Sequence, residues 1–242
     1  MLIELDGRRL LTDPVLGQRV AHLRRHSAPV PDVGEVDAVL ISHAHRDHLD
    51  IGSLRRLGSA TRVIAPAGVG KVLRGKGFGD VEELDVGGGA TVGNTAVLAL
   101  PALHRTKRTP FGRESLTVGF RIEGTASVVF FGDTDLFDGM ARIGPVDVAL
   151  LPVWGWGPTM GPGHLDPERA ARAVGLLRPR IAIPIHWGSF VPLVASRGGR
   201  FLRSPGPDFA GHVERIAPAV DVRVLAPGDS TVVDPPGPRT AA

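Results

Sequence analysis

The sequence predicts a mixed α/β fold, and three observations predict it. Short apolar runs rich in Val, Ile, Leu and Ala recur at strand-like intervals, two stretches carry helix start and stop signals, and Gly and Pro punctuate the segments between them. The strongest strand-like runs are Val36 to Ile41, Ala96 to Leu100, Ser127 to Phe131, Val146 to Leu151 and Ile181 to Ile185.

In chain order, Met1 to Arg9 reads as a strand and a turn, without the pattern of a secretory leader, so a cytoplasmic location is the expectation. A first helix is expected to open at Asp50 and run through Leu54 and Leu57 toward Gly58. The glycine-rich stretch Gly68 to Gly89 is expected to turn around a short helix. Its Gly68-Val69-Gly70-Lys71 suggests a phosphate loop, but the spacing is wrong and no Ser or Thr follows the lysine, which leaves a turn. A second helix is better marked. Asp166 is a candidate N-cap, Pro167 suits the first helical position, Glu168 the first turn, and Ala170, Val174 and Leu177 fall on one face before Pro179 ends the helix. Residues 1–234 are expected to form a single domain, with a frayed tail from Pro235 to Ala242.

Composition narrows the chemistry. No apolar run approaches the roughly 20 residues a membrane-spanning helix needs. There is no cysteine, so disulfides cannot support the fold and any metal must be bound through nitrogen and oxygen. The pI of about 10.1 accompanies a net charge of only +3 in a chain that lacks Tyr and Cys to titrate above neutrality. It is therefore weak evidence for a polyanion, and the expected partner is a small-molecule substrate, not nucleic acid.

The informative stretch is Ser42-His43-Ala44-His45-Arg46-Asp47-His48-Leu49-Asp50, between a strand-like run and the first helix. Side chains two apart in a loop can turn to one side, and the adjacent Asp47 and His48 can reach a second point a few ångströms away. A polar surface loop would explain one histidine here, but not four potential ligands at this spacing. His104, Asp133 and His186 also stand at or just past the C-terminal ends of apolar runs. Ligands at successive strand ends converge on one edge of a sheet, where α/β proteins commonly bind their ligands.

His43-x-His45-x-Asp47-His48 followed by His104, Asp133 and His186 resembles the ligand set of the metallo-β-lactamase superfamily, over most of the chain. The resemblance implies an α/β fold of the four-layer αββα sandwich type. It implies one metal on His43, His45 and His104, a second on Asp47, His48 and His186, and Asp133 bridging them. Leu10-Leu11-Thr12-Asp13-Pro14, Pro101-Ala102-Leu103-His104, Gly163-His164-Leu165-Asp166-Pro167-Glu168 and Pro184-Ile185-His186-Trp187-Gly188 are similar to the branch containing N-acyl-phosphatidylethanolamine-hydrolysing phospholipase D and the ascorbate-phosphate lactonases. The strand that usually precedes the equivalent of Leu2 to Leu5 in that branch is missing. The expectation is a late start or a sheet one strand short with an exposed edge.

Two divalent ions can hold a bridging water, lower its pKa toward neutrality and present hydroxide to an electrophile, while Asp47 serves both as ligand and as part of the catalytic apparatus. Zinc suits the donor set first, with manganese or iron as alternatives. The expected activity is hydrolysis of a small anionic phosphodiester, lactone or ester. Alternatives are a nuclease acting on RNA or DNA and a non-catalytic metal-binding scaffold of the same fold. His164, ahead of a helix N-terminus, is a candidate for binding an anion or protonating a leaving group, against a loop histidine with a local hydrogen bond. Asp13 and Asp50 could orient ligand imidazoles, with helix capping the other role for Asp50. Arg105, Lys107, Arg108 and Arg113 could wall an anionic pocket or form a solvated basic loop, and Trp154, Trp156 and Trp187 could line its mouth or fill core.

Overall fold

Buried strand residues alternate between two apolar faces. In the strand Ser127–Phe131, Val128 and Phe130 join one buried cluster while Val129 and Phe131 join another. In Ala38–Leu40, Ala38 and Leu40 join the first of these clusters and Val39 a third. A strand covered on both faces reads as an unbroken apolar run, which is why these segments stand out in the sequence. The computed structural model describes residues 1–107, 114–155, 157–194 and 199–235.

The strands form two main sheets. One has the order Leu2–Leu5, Arg8–Thr12, Ala38–Leu40, Val63–Pro66, Val81–Leu84, parallel except for the first pair. Leu2–Leu5 is therefore an outer strand. The other has the order Asp221–Val222, Pro179–Ile185, Val146–Pro152, Ser127–Phe131, Val118–Glu123, Thr95–Pro101, Gly89–Val92. Its first four strands are parallel and the rest antiparallel.

Three buried clusters mark three interfaces between four layers. Leu10, Leu40, Phe120, Phe130 and Ile183 pack between the sheets. Val39, Ile41 and Val63 meet Leu54 of the helix Ile51–Leu57 and Leu73 of the helix Gly70–Arg74. Val129, Phe131 and Ala149 meet the helices Pro167–Leu177 and Pro205–Ile216 through Val174, Leu177, Phe209 and Val213. This is the αββα sandwich, and each fully buried Leu or Phe in it contributes about 1.5–3 kcal/mol by leaving water.

Both expected helices form where their caps place them. Asp50 accepts a hydrogen bond from Ser53 N at 2.9 Å and Gly58 follows the last turn; Asp166 accepts one from Arg169 N at 2.8 Å. Pro179 follows Arg178 and begins the next strand. The short helix expected in the glycine-rich stretch is Gly70–Arg74, and the strand Val81–Leu84 follows it. Glu83 Oε1 accepts from Gly68 N at 2.8 Å and from Gly70 N at 2.9 Å, so a carboxylate occupies the position that a phosphate would take in a phosphate loop. Residues 236–242, the greater part of the expected tail, lie outside the described residues.

A small third sheet was not anticipated. It has the order Phe190–Pro192, Leu23–Arg25, Arg19–Val20 and joins the loop after Asp13 to the loop after His186. Arg25 anchors it, with its guanidinium 4.5 Å from the centroid of Phe190 and hydrogen bonds to Gly17 O at 3.2 Å and to Val15 O. The two loops it joins both enter the histidine cluster.

Candidate metal centre

The segment 42–50 leaves the end of Ala38–Leu40 and turns back on itself, with Leu49 N donating to His45 O at 2.8 Å. The turn brings the His43 and His48 rings to 4.1 Å between centroids. Asp133 arrives two residues after Ser127–Phe131, His186 directly after Pro179–Ile185, and His104 three residues after Thr95–Pro101. The three strands belong to one sheet and deliver these residues to the same edge.

Ring nitrogens converge there. His45 Nδ1 lies 3.0 Å from His43 Nε2 and 3.2 Å from His104 Nε2, while His48 Nε2 and His186 Nε2 are 3.1 Å apart. Asp133 lies between the two groups. Its Oδ2 is 3.6 Å from His43 Nε2, 3.8 Å from His104 Nε2 and 3.3 Å from His48 Nε2, and its Oδ1 is 3.7 Å from His186 Nε2. Asp47 Oδ2 is 4.0 Å from His48 Nε2 and is more open to solvent than Asp133.

The far side of four of the five rings fixes the tautomer. His104 Nδ1 donates to Gly163 O at 2.9 Å and His186 Nδ1 to Trp154 O at 2.7 Å. Asp13 Oδ2 takes the His48 Nδ1 proton at 2.7 Å and the Ser42 hydroxyl proton at 2.5 Å, so Ser42 Oγ must accept from His43 Nδ1 at 2.9 Å. With those protons committed outward, Nε2 of His43, His104 and His186 presents a lone pair to the centre. Asp13 also comes close enough to His43 and His48 to suggest a ligand. Its Oδ1 accepts from Ser42 N at 2.7 Å, however, and both oxygens are already occupied. It supports the rings from behind.

The donor set fits divalent cations. His43, His45, His104 and Asp133 offer atoms within 4.8 Å of one another, as do Asp47, His48 and His186. Asp133 Oδ1 is buried without a hydrogen-bond partner among the described residues, an arrangement that a cation satisfies. Without one, burial holds His43 well below its usual value and His104 down to about 4. Burial also opposes a charge on His48, but the carboxylates of Asp133 and Asp13 outweigh it and raise that ring well above its usual value. Asp133 is held low, its burial outweighed by His48 and His186. The metal-free centre thus carries a proton on His48 where a metal would bring positive charge.

His164 reaches the same carboxylate, with Nε2 3.4 Å from Asp133 Oδ2, and its Nδ1 donates to Gly161 O at 3.1 Å. The hydrogen bond to Asp133 and the charge of that group raise its pKa. The local hydrogen bond and an approach to the centre are both present.

The remaining candidates divide. Asp50 caps its helix and does not orient an imidazole among the described contacts. Trp154 and Trp187 spend their indole N–H groups on Gly157 O and Pro184 O, and the Trp154 carbonyl holds His186. Arg105 is exposed; Arg108, Arg113 and Trp156 lie outside the described residues. Ser42 was missed, although its place beside the motif and its hydroxyl were visible.

A family model for the beta-lactamase superfamily domain matches residues 8–187. A UPF0173 metal-dependent hydrolase of Methanopyrus kandleri is 33% identical over 94% of this chain and 94% of its own length. An uncharacterized protein of Mycobacterium tuberculosis is 34% identical over 98% of this chain and 67% of its own. The structure of Igni18, a metallo hydrolase from Ignicoccus hospitalis, matches with a TM-score of 0.72 at 26% identity, covering 94% of this chain and 91% of that one. With its αββα layers and its histidine cluster at one end of both sheets, the chain belongs to the beta-lactamase superfamily domain family and has the metallo-β-lactamase fold.

Proposed function

We propose that the protein is a dinuclear metal-dependent hydrolase acting on a small anionic phosphodiester, lactone or ester. His43, His45 and His104 would hold one ion, Asp47, His48 and His186 the other, and Asp133 would lie between them. Zinc is the first choice for this all-nitrogen-and-oxygen set, with manganese or iron as alternatives. The observation that carries the reading is Asp133: buried, with one oxygen unpartnered among the described residues and the other facing four imidazole Nε2 atoms at 3.3–3.8 Å. The metal-dependent hydrolase and metallo hydrolase among its relatives support it.

Divalent ions held there supply Lewis acidity for a carbonyl or phosphoryl group and acidify water. The chain's own residues then have distinct tasks. Asp13, Ser42, Gly163 O and Trp154 O hold four imidazoles in the tautomers that face the centre. Asp47 is the more exposed carboxylate of the two, Asp133 being buried. His164, with Nε2 3.4 Å from Asp133 Oδ2, stands where it could give a proton to a departing oxygen.

Elemental analysis of protein loaded with zinc, manganese or iron tests the centre, and a screen with bis-p-nitrophenyl phosphate and dihydrocoumarin tests the reaction class. Two ions per chain and turnover of a probe are expected, and His43→Ala and Asp133→Ala should each fall short of two ions and lose turnover. His164→Ala should keep its metal and reduce turnover without abolishing it. Failure to retain stoichiometric metal overturns the centre, and full turnover of diphenyl phosphate, whose leaving group needs a proton, in His164→Ala removes that residue from the mechanism.

A further inference from the structure

Arg169 sits in the first turn of Pro167–Leu177, with its backbone N–H held by the Asp166 cap. Its guanidinium pairs with Asp135 and also lies 3.4 Å from His164 O. Asp135 is two residues past Asp133, and its backbone N donates to Leu103 O at 2.9 Å; Leu103 N in turn donates to Thr134 Oγ1 at 3.0 Å. Next to Leu103, His104 donates to Gly163 O, one residue before His164. These contacts close a circuit through the loops that carry His104, Asp133 and His164. At the Gly163 link φ is +83°, which strains any other residue, and a Cβ would stand a tight 3.1 Å from His104 Nδ1.

An ion pair with side chains 38% and 23% exposed adds little to stability. Its geometry does more. Residues 157–166 form neither helix nor strand, and Arg169 bonds to both sides of the gap between this segment and the Asp133 loop. We infer that Arg169, through Asp135 and the His164 carbonyl, is the positioning residue that keeps His164 Nε2 within 3.4 Å of Asp133 Oδ2. Its effect on turnover rests on the catalytic reading of His164; its effect on where His164 sits does not.

The test uses zinc-loaded full-length protein labelled with ¹⁵N-histidine. Arg169→Met keeps the length and helix propensity of the side chain but loses both polar contacts, while Arg169→Lys can keep the charge toward Asp135 without the fork that reaches two partners. In the wild type His164 should give one sharp set of imidazole signals. In Arg169→Met these should broaden or split, with zinc content and the signals of His43, His48 and His186 unchanged, and Arg169→Lys should fall between. On diphenyl phosphate, whose phenolate needs a proton to leave more than p-nitrophenolate does, Arg169→Met should lower kcat about 10- to 100-fold, as misplacement of a reacting group does. It should cost nothing further in a His164→Ala background. Sharp, unshifted His164 signals in Arg169→Met would overturn the positioning role whatever the activity, and an additive loss in the double variant would overturn action through His164. If His164→Ala alone keeps full turnover, its catalytic reading fails, and the spectra still decide the role of Arg169.

Discussion

Asp13 Oδ2 lies 2.7 Å from His48 Nδ1 and fixes which nitrogen of that ring faces Asp133. The same oxygen receives the Ser42 hydroxyl and, through it, sets the His43 tautomer, so one carboxylate governs a ring in each proposed metal group. Asp13 does this from a left-handed backbone, φ +41°, directly before Pro14, a conformation that the surrounding structure must maintain. Asp13→Ala strands Ser42 N, Ser42 Oγ and His48 Nδ1 together. It should weaken zinc binding 10- to 100-fold, as loss of an outer partner of a ligating histidine does. Competition with a chromophoric chelator measures it, and wild-type affinity would remove Asp13 from this role.

Gly132 enforces the same contact from the other side. A Cβ there would stand 2.0 Å from Ser42 Oγ and 2.5 Å from Ser42 Cβ, with Asp13 Oδ2 at 3.1 Å. Ser42 is pinned by three hydrogen bonds and cannot swing away. Gly132→Ala should therefore cost about 1–3 kcal/mol in urea unfolding and lower zinc affinity as well. Adding Ser42→Gly should restore stability by removing the clash, yet leave zinc affinity low because the link from Asp13 to His43 is gone. Recovery of both would refute the link.

What the sequence revealed depended on how local the signal was. His43, His45, Asp47 and His48 are legible because the turn that assembles them lies within one short segment, and Asp133 and His186 because each directly follows a strand buried on both faces. The caps Asp50 and Asp166 mark their helices for the same reason. The helix Pro205–Ile216 went unplaced although Pro205 stands in its first turn, because glycines and a second proline interrupt its start. The pairing of Arg169 with Asp135 joins residues 34 apart and leaves no local pattern at all. Ser42 and Gly132 acquire their roles only once two sheets bring their strand ends together, and the third sheet pairs strands too short to show a period.

Acid should destabilise the metal-free protein before its carboxylates titrate. Burial lowers His104 from 6.5 to about 4 and also lowers His43 and His45. A histidine whose folded pKa is depressed lets the unfolded chain take the proton first, so stability is intact above pH 6.5 and is lost as pH falls toward 4. His48 and His164 are shifted upward, and the stability they contribute is already complete below pH 6.5. The His104 shift alone corresponds to roughly 3 kcal/mol. Urea midpoints at pH 6.5, 5.5 and 4.5 in a chelator should fall steadily, and His104→Asn should flatten the slope. A level wild-type profile would contradict the burial argument.

Metal should reverse that loss, because it replaces protons at the same atoms. His45 Nδ1 lies within 3.2 Å of two ring nitrogens that have committed their protons elsewhere, and His48 and His186 oppose Nε2 atoms at 3.1 Å. Without metal a proton on His48 can bridge the second pair, a metal ion takes the place of protons at these atoms, and the unfolded chain cannot reproduce the arrangement. Zinc at one hundred times its dissociation constant should therefore stabilise the fold by about 2.7 kcal/mol per site, raising Tm in a concentration-dependent way. His186→Ala should lose one such increment and keep the other, since His43, His45 and His104 do not depend on it. Calorimetric scans across a zinc titration separate the cases: two increments in the wild type, one in His186→Ala, and an unchanged Tm throughout would mean that these nitrogens do not gather around metal.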